Sequence, residues 1–139
     1  MRKIAVSACL LGYNCKYNGK NNLNPRLKEL LANCEVLPVC PEMEGGLPAP
    51  RIPCEIVGER VIDRNGEDRT EAYEKGAAAA LHRMEEEGID TVIVQPRSPS
   101  CGKSQIYDGT FTGRLIPGSG RFTEMAIKKG VNVLEPEEI

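Results

Sequence analysis

The side chains with most chemistry to offer in this 139-residue chain are its six cysteines, and three of them share a position. Cys9 closes the run IAVSAC, Cys40 closes VLPVC, and Cys101 follows VIVQPRSPS. Each lies where an apolar, strand-like run gives way to loop-type sequence. In an open α/β sheet, ligands gather in the crevice beyond the carboxyl ends of the strands. Segments distant in sequence can therefore deliver three thiolates to one place. Three thiolates with no fourth leave a metal centre one coordination position free for chemistry. Soft sulfur donors suit iron–sulfur clusters, zinc or copper(I), and spacing alone does not choose among them. A free cysteine is often only a small buried hydrophobe, a reading that fits any one of the three better than it fits all three.

The remaining candidates bear on that site less directly. Cys15 lies in the loop after Cys9 and either joins it or has no role. Cys34 falls on an apolar helix face and reads as core. Cys54 follows Pro53 in irregular sequence with nothing to distinguish it. No C-x-x-C occurs, which argues against a thioredoxin-like pair or a zinc ribbon. The only histidine, His82, sits mid-helix, and a cysteine nucleophile normally needs a histidine partner. Glu42, two residues after Cys40, is aimed by Cys-Pro-Glu at the same crevice, where it can act as general acid or base; Glu44 is the weaker candidate. Ser98 and Ser100 flank Pro99 before Cys101 and reach whatever that thiolate holds, unless they are turn residues only. The segment GTFTG (109–113) and Gly118 and Gly120 of PGSG, before a helix, offer backbone amides that suit a phosphate. Arg51, Arg97, Lys103 and Arg121 can add charge near that face; ordinary solvated charge is the alternative.

The elements that must position these residues follow from the pattern. Residues 3–9 read as a first buried strand. Asn24 and Pro25 supply a cap and a first-turn proline for a helix whose Leu27, Leu30, Leu31 and Cys34 share a face. Val36 to Val39 is a second strand, parallel to the first by the rule for βαβ crossovers. Residues 41–69, with Pro41, Pro48, Pro50 and Pro53, read as irregular apart from a small hairpin around Gly58-Glu59. Asp68-x-x-Glu71 has the form of a capping box opening a long helix with Tyr73, Ala77, Ala80, Leu81 and Met84 on one face. Thr91 to Val94 is the next strand, residues 101–120 a glycine-rich loop, and a helix with Phe122, Met125 and Ala126 precedes a last strand, Val131 to Leu134. This alternation predicts an α/β fold, a Rossmann-like sandwich with a mostly parallel sheet, as a single domain over 1–139.

Composition bounds the function. A formal net charge of −2 gives no reason to expect polymeric nucleic acid or a membrane surface as partner. No run approaches the roughly 18–20 apolar residues of a membrane span. The opening MRKIAVSACLLG reads as a core strand rather than a signal peptide. The expectation is a cytoplasmic protein with reduced thiols.

SACLLG around Cys9, VCPEMEGGLPAPR with Cys40, Glu42 and Arg51, SPSCG around Cys101, and IYDGTFTG together resemble the DUF523 family, which includes thiouracil desulfidases. The resemblance runs from the first strand to PGSG. It implies an oxygen-sensitive [4Fe–4S] cluster held by Cys9, Cys40 and Cys101, with one iron left open to the sulfur of a thiolated uracil base or thiouridine nucleotide. It further implies that Glu42 activates water or shuttles protons and that Ser98 assists at the substrate; beside this, the residues themselves lead us to expect Ser100, Arg51, Gly118 and Gly120 at the substrate-binding surface. Two alternatives stand beside it: a zinc-dependent hydrolase using the same three cysteines, and a non-catalytic metal- or nucleotide-binding module.

Overall fold

A computed structural model describes residues 2–139. Its elements run β1 (Lys3–Ser7), α1 (Pro25–Leu30), β2 (Glu35–Val39), α2 (Pro41–Glu44), β3 (Cys54–Val57), β4 (Arg60–Asp63), α3 (Thr70–Glu86), β5 (Thr91–Ile93), β6 (Gln105–Tyr107), β7 (Leu115–Pro117), α4 (Arg121–Lys128) and β8 (Asn132–Leu134). The apolar runs β1, β2, β5 and β8 form one sheet in the order β2-β1-β5-β8, every pair parallel. Strands covered on both faces need apolar side chains on both, which is why they read as continuous rather than alternating runs. Ala5 and Val92 pack with Ala77, Leu81 and Met84 of α3 and Phe122 of α4 on one face. Ile4, Val6 and Ile93 pack with Leu27 and Leu31 on the other. The fold is the α/β sandwich expected from the sequence.

From β1 the chain crosses to β2 on one side of the sheet and later to β5 on the other. The carboxyl ends of β1 and β5 therefore flank a topological switch point, where a crevice must open. Two antiparallel hairpins, β3–β4 and β6–β7, pack on each other through Ile56, Val61 and Ile106. No helix among the described residues is long and apolar enough to cross a membrane.

Local expectations met mixed outcomes. Asn24 Oδ1 accepts from the Leu27 amide at 3.0 Å with Pro25 in the first turn, as predicted for α1. The capping box at Asp68 does not form: Arg69 occupies the cap position and Asp68 Oδ1 accepts from the Thr70 amide instead. The reason is that Asp68 pairs with Arg60 across the hairpin, at 2.6 Å from Nη2, while Thr70 Oγ1 accepts from the Val61 amide. Residues 41–69 contain α2 as well as the expected hairpin, and the segment expected as a loop over 101–120 contains β6 and β7. β1 stops at Ser7; Cys9 lies in the 3₁₀ turn Ala8–Leu11 that follows, closed by Gly12 at φ +98°.

Candidate functional site

The crevice at the switch point is a cleft of ≈ 550 Å³ lined by Cys9, Cys15, Cys40, Cys101, Glu42, Ser98, Ser100 and Arg51 among others. Cys9, Cys40 and Cys101 reach it from three separate segments. The 3₁₀ turn after β1 presents Cys9, whose sulfur is 3.9 Å from Asn22 Nδ2. Cys40 leaves β2 and caps α2; its amide donates to Glu44 Oε2 at 3.2 Å. Cys101 lies in the turn built by Ser98, whose Oγ accepts from the amides of Ser100 and Cys101, both at 3.1 Å.

Glu42 is the centre of the polar network. α2 lies against α3 because two glycines allow their backbones to touch: a Cβ on Gly76 would stand 1.7 Å from the Pro41 carbonyl oxygen, and one on Gly45 2.0 Å from that of Ala72. This brings the buried Glu42 carboxylate between four donors. Oε1 accepts from Tyr73 Oη at 2.8 Å and Arg51 Nε at 3.0 Å; Oε2 accepts from Ser100 Oγ at 2.7 Å, with Ser98 Oγ at 3.4 Å. Arg51 is itself almost fully buried and donates also to the carbonyls of Pro48 and Cys15. Its guanidinium thus compensates the buried carboxylate and ties the Cys15 loop to α2.

Three of the cleft thiols, Cys15, Cys40 and Cys101, are pushed towards the protonated form. Burial, against the Ser7 and Ser100 hydroxyls, pushes the Cys101 thiol up to about 12. Cys15 is pushed up to about 11, its hydrogen bond to Cys40 pulling down while the bond to Cys9 and burial push up. The bond to Cys15, then burial, raises Cys40 as well. Loading a metal must displace these protons. Among the described residues no three His, Cys, Asp or Glu side chains converge as they would on a single ion. The three strand-end cysteines nonetheless surround one cleft, and a cubane's thiolates radiate from separate irons rather than meeting at one. Three soft sulfur donors around one cleft are the chemistry such a cluster takes.

The model of the 2-thiouracil desulfurase family matches residues 4–138. The chain belongs to this family. Among its similar proteins is YbbK of Bacillus subtilis (strain 168), 36% identical over an alignment covering 98% of this chain and 97% of YbbK. The chain also resembles the solved structure of the [4Fe–4S]-dependent thiouracil desulfidase TudS, with a TM-score of 0.94 and 38% identity, covering 100% of this chain and 93% of that one.

Within this desulfurase-family fold, the structure gathers most but not all of the sequence candidates. Cys9, Cys40, Cys101, Glu42, Ser98, Ser100 and Arg51 meet in the cleft, and Arg97 lines it. Of the amides expected to hold an anion, those of PGSG and the α4 start are spent elsewhere: Gly118 donates to Ser104, Gly120 to Gly102, and the first-turn amides of α4 to Pro99 and Ser100. Gly120 is instead a packing residue, since a Cβ there would stand 2.5 Å from the Ser100 carbonyl. Lys103 pairs with Glu138 and Arg121 with Glu124. Sequence reading missed Ser7, Tyr73 and Cys54 as cleft-lining residues and left Cys15 open. Ser7 carried a signal, a polar residue at the end of an apolar strand; Tyr73 carried none, because its helical spacing reads as core.

Proposed function

We propose that the chain is a [4Fe–4S]-dependent desulfidase that converts a thiolated uracil, as base or thiouridine nucleotide, and water into the corresponding uracil and hydrogen sulfide. The reaction exchanges sulfur for oxygen with no net electron transfer. The observation that carries this reading is the Glu42 carboxylate, held by Ser100, Tyr73 and Arg51 in the same cleft as three cysteines from the segments that follow β1, β2 and β5. Cys9, Cys40 and Cys101 would hold the cluster, and when bound it supplies a soft Lewis-acidic iron without a protein ligand for the substrate's sulfur.

The protein's own groups do the proton work. Glu42 takes the proton from the water that adds at the thiocarbonyl carbon, a role that requires hydrogen-bond reach rather than a particular fold. Ser98 Oγ is 2.9 Å from Ser100 Oγ, and Ser100 reaches Glu42 Oε2. This chain returns the proton toward the departing sulfur. Tyr73 and Arg51, bound to the other oxygen, fix the carboxylate's plane while it does so. Six free cysteines and the mild net charge support a cytoplasmic enzyme acting on small molecules rather than on membranes or polymeric nucleic acid.

Anaerobic reconstitution followed by sulfide assay with 2-thiouracil and 4-thio-UMP tests the proposal. Brown protein containing iron and acid-labile sulfide is expected, releasing sulfide from at least one of these substrates. Replacing Cys9, Cys40 or Cys101 by Ser abolishes cluster incorporation, whereas Cys34→Ser leaves it intact. Glu42→Gln keeps the cluster and loses about 10²–10⁴-fold in kcat. A colourless zinc protein, or a loaded protein that releases no sulfide, would defeat the reading.

A further inference from the structure

The family reading leaves one conspicuous feature of the cleft unused. The chain has only two phenylalanines and no tryptophan. Phe122 is fully buried in the core. Phe111 is partly buried, lines the cleft, and lies in the tip of the β6–β7 hairpin. Its backbone is left-handed at φ +58°, a conformation that a bulky side chain rarely adopts and that clusters at ligand-contacting positions.

That conformation is held from outside the loop. Glu55 of β3 is buried, and its Oε1 accepts from the amides of both Gly109, at 2.9 Å, and Phe111, at 3.2 Å. Gly109 is what allows the tip to sit so close to β3: a Cβ there would stand 2.9 Å from the Ile56 carbonyl oxygen. On the Phe111 ring stands the Arg64 guanidinium, 5.8 Å from its centroid, and Arg64 lines the cleft as well. A buried carboxylate is thus committed to presenting one aromatic ring, steadied by a planar cation, at the edge of the cleft that holds Glu42 and the cysteines. Such a surface is complementary to one chemistry, the flat π-face of a ring.

We infer that Phe111, with Arg64, is the stacking wall that selects a planar unsaturated pyrimidine, and that Glu55 is the positioning residue that holds it. The inference rests on the proposed desulfidase reading for the identity of the ring. It goes beyond that reading in assigning ring recognition to the hairpin tip rather than to the network around Glu42. Base–aromatic stacking makes a substantial and sequence-tolerant share of base binding.

The test uses anaerobic holoprotein and two ligands that do not turn over, uracil and the puckered 5,6-dihydrouracil, titrated by calorimetry. Wild type is expected to prefer uracil. Phe111→Leu, which keeps apolar bulk without a π-face, weakens uracil about tenfold, within the range for one lost stack, and leaves dihydrouracil unchanged. Phe111→Tyr restores the preference. Glu55→Ala mimics Phe111→Leu, and Glu55→Gln, which keeps the accepting oxygen, rescues it. In sulfide-release assays the loss from 2-thiouracil falls mainly on KM. If Phe111→Leu binds uracil as wild type does, or weakens both ligands alike, the wall is wrong. If Phe111 governs uracil preference but no thiouracil releases sulfide, the desulfidase reading fails and the wall stands.

Discussion

At the scale of residues, the site is organised around one carboxylate rather than around the thiols. Glu42 and Arg51 are both buried, and removing one partner of such a pair typically costs about 3–5 kcal/mol, because the other charge is left uncompensated. Tyr73 is the donor whose contribution can be isolated. Burial, then the charge of Glu42 and the neighbouring Cys54, pushes its phenol well above the usual tyrosine range. The native state therefore holds this proton more tightly than the unfolded chain. Below about pH 10, the ordinary tyrosine value, the stabilisation is fully present; above it the unfolded state releases its proton first, and stability falls as pH rises. Tyr73→Phe should lower stability at pH 7 by about 1.5–3 kcal/mol, as for a hydrogen bond to a charged group, and should flatten the alkaline fall. Urea unfolding at neutral pH and above pH 10 checks both, and an unchanged alkaline slope in the variant would refute the assignment. Cys9, Cys40, Cys101, Glu42 and the two serines were legible because strand ends announce themselves in sequence. Tyr73 was not: that its hydroxyl meets Glu42 depends on how closely two helices approach, which no local pattern encodes.

At the scale of elements, that approach is set by glycines. An interior helical Gly→Ala change ordinarily stabilises by roughly 0.5–1 kcal/mol. Gly76 of α3 is an exception written in the backbone: its Cβ would sit 1.7 Å from the Pro41 carbonyl oxygen, a rigid atom that cannot rotate away. Gly76→Ala is expected to cost at least about 2 kcal/mol, in the upper range for overpacking. It should also lower kcat, since lifting α2 off α3 draws Glu42 away from Tyr73 and Cys40 away from its neighbours. Thermal unfolding together with turnover decides this; a stabilised, fully active variant would show that α2 docks by other means. α2, at four residues, and the three-residue strands β6 and β7 escaped sequence reading for a related reason. Elements so short have no room for a periodic signal, and they form because packing and hairpin pairing, not propensity, fix them. The longer α3 was readable because its 17 residues show their period. The six-residue α1 was readable from its Asn24-Pro25 start, whereas its expected face was not, since Leu30 is exposed and Leu31 and Cys34 lie beyond the helix end.

At the scale of the whole molecule, the order β2-β1-β5-β8 explains why cysteines from three separate segments converge. The switch point lies between β1 and β5, and β2 pairs with β1 along its full length, from Lys3–Glu35 to Ser7–Val39. All three strand ends then face one crevice. The cores that hold this sheet, Ala77, Leu81, Met84 and Phe122 on one face and Leu27 and Leu31 on the other, are built mainly from apolar side chains of the strands and helices. That separates this protein from small metal-dependent modules, in which binding energy is folding energy. Removing the cluster with a chelator should leave the far-ultraviolet circular dichroism and a cooperative unfolding transition intact. It should lower Tm only through mass action, since a ligand that binds the native state alone stabilises by RT ln(1 + [L]/Kd). Loop residues such as Cys9, Cys15 and Cys101 should gain hydrogen exchange on removal, while the amides of Val6 and Val92 remain protected. Loss of cooperative unfolding in the cluster-free protein would show instead that the thiols staple the sheet, and that the site and the fold cannot be separated.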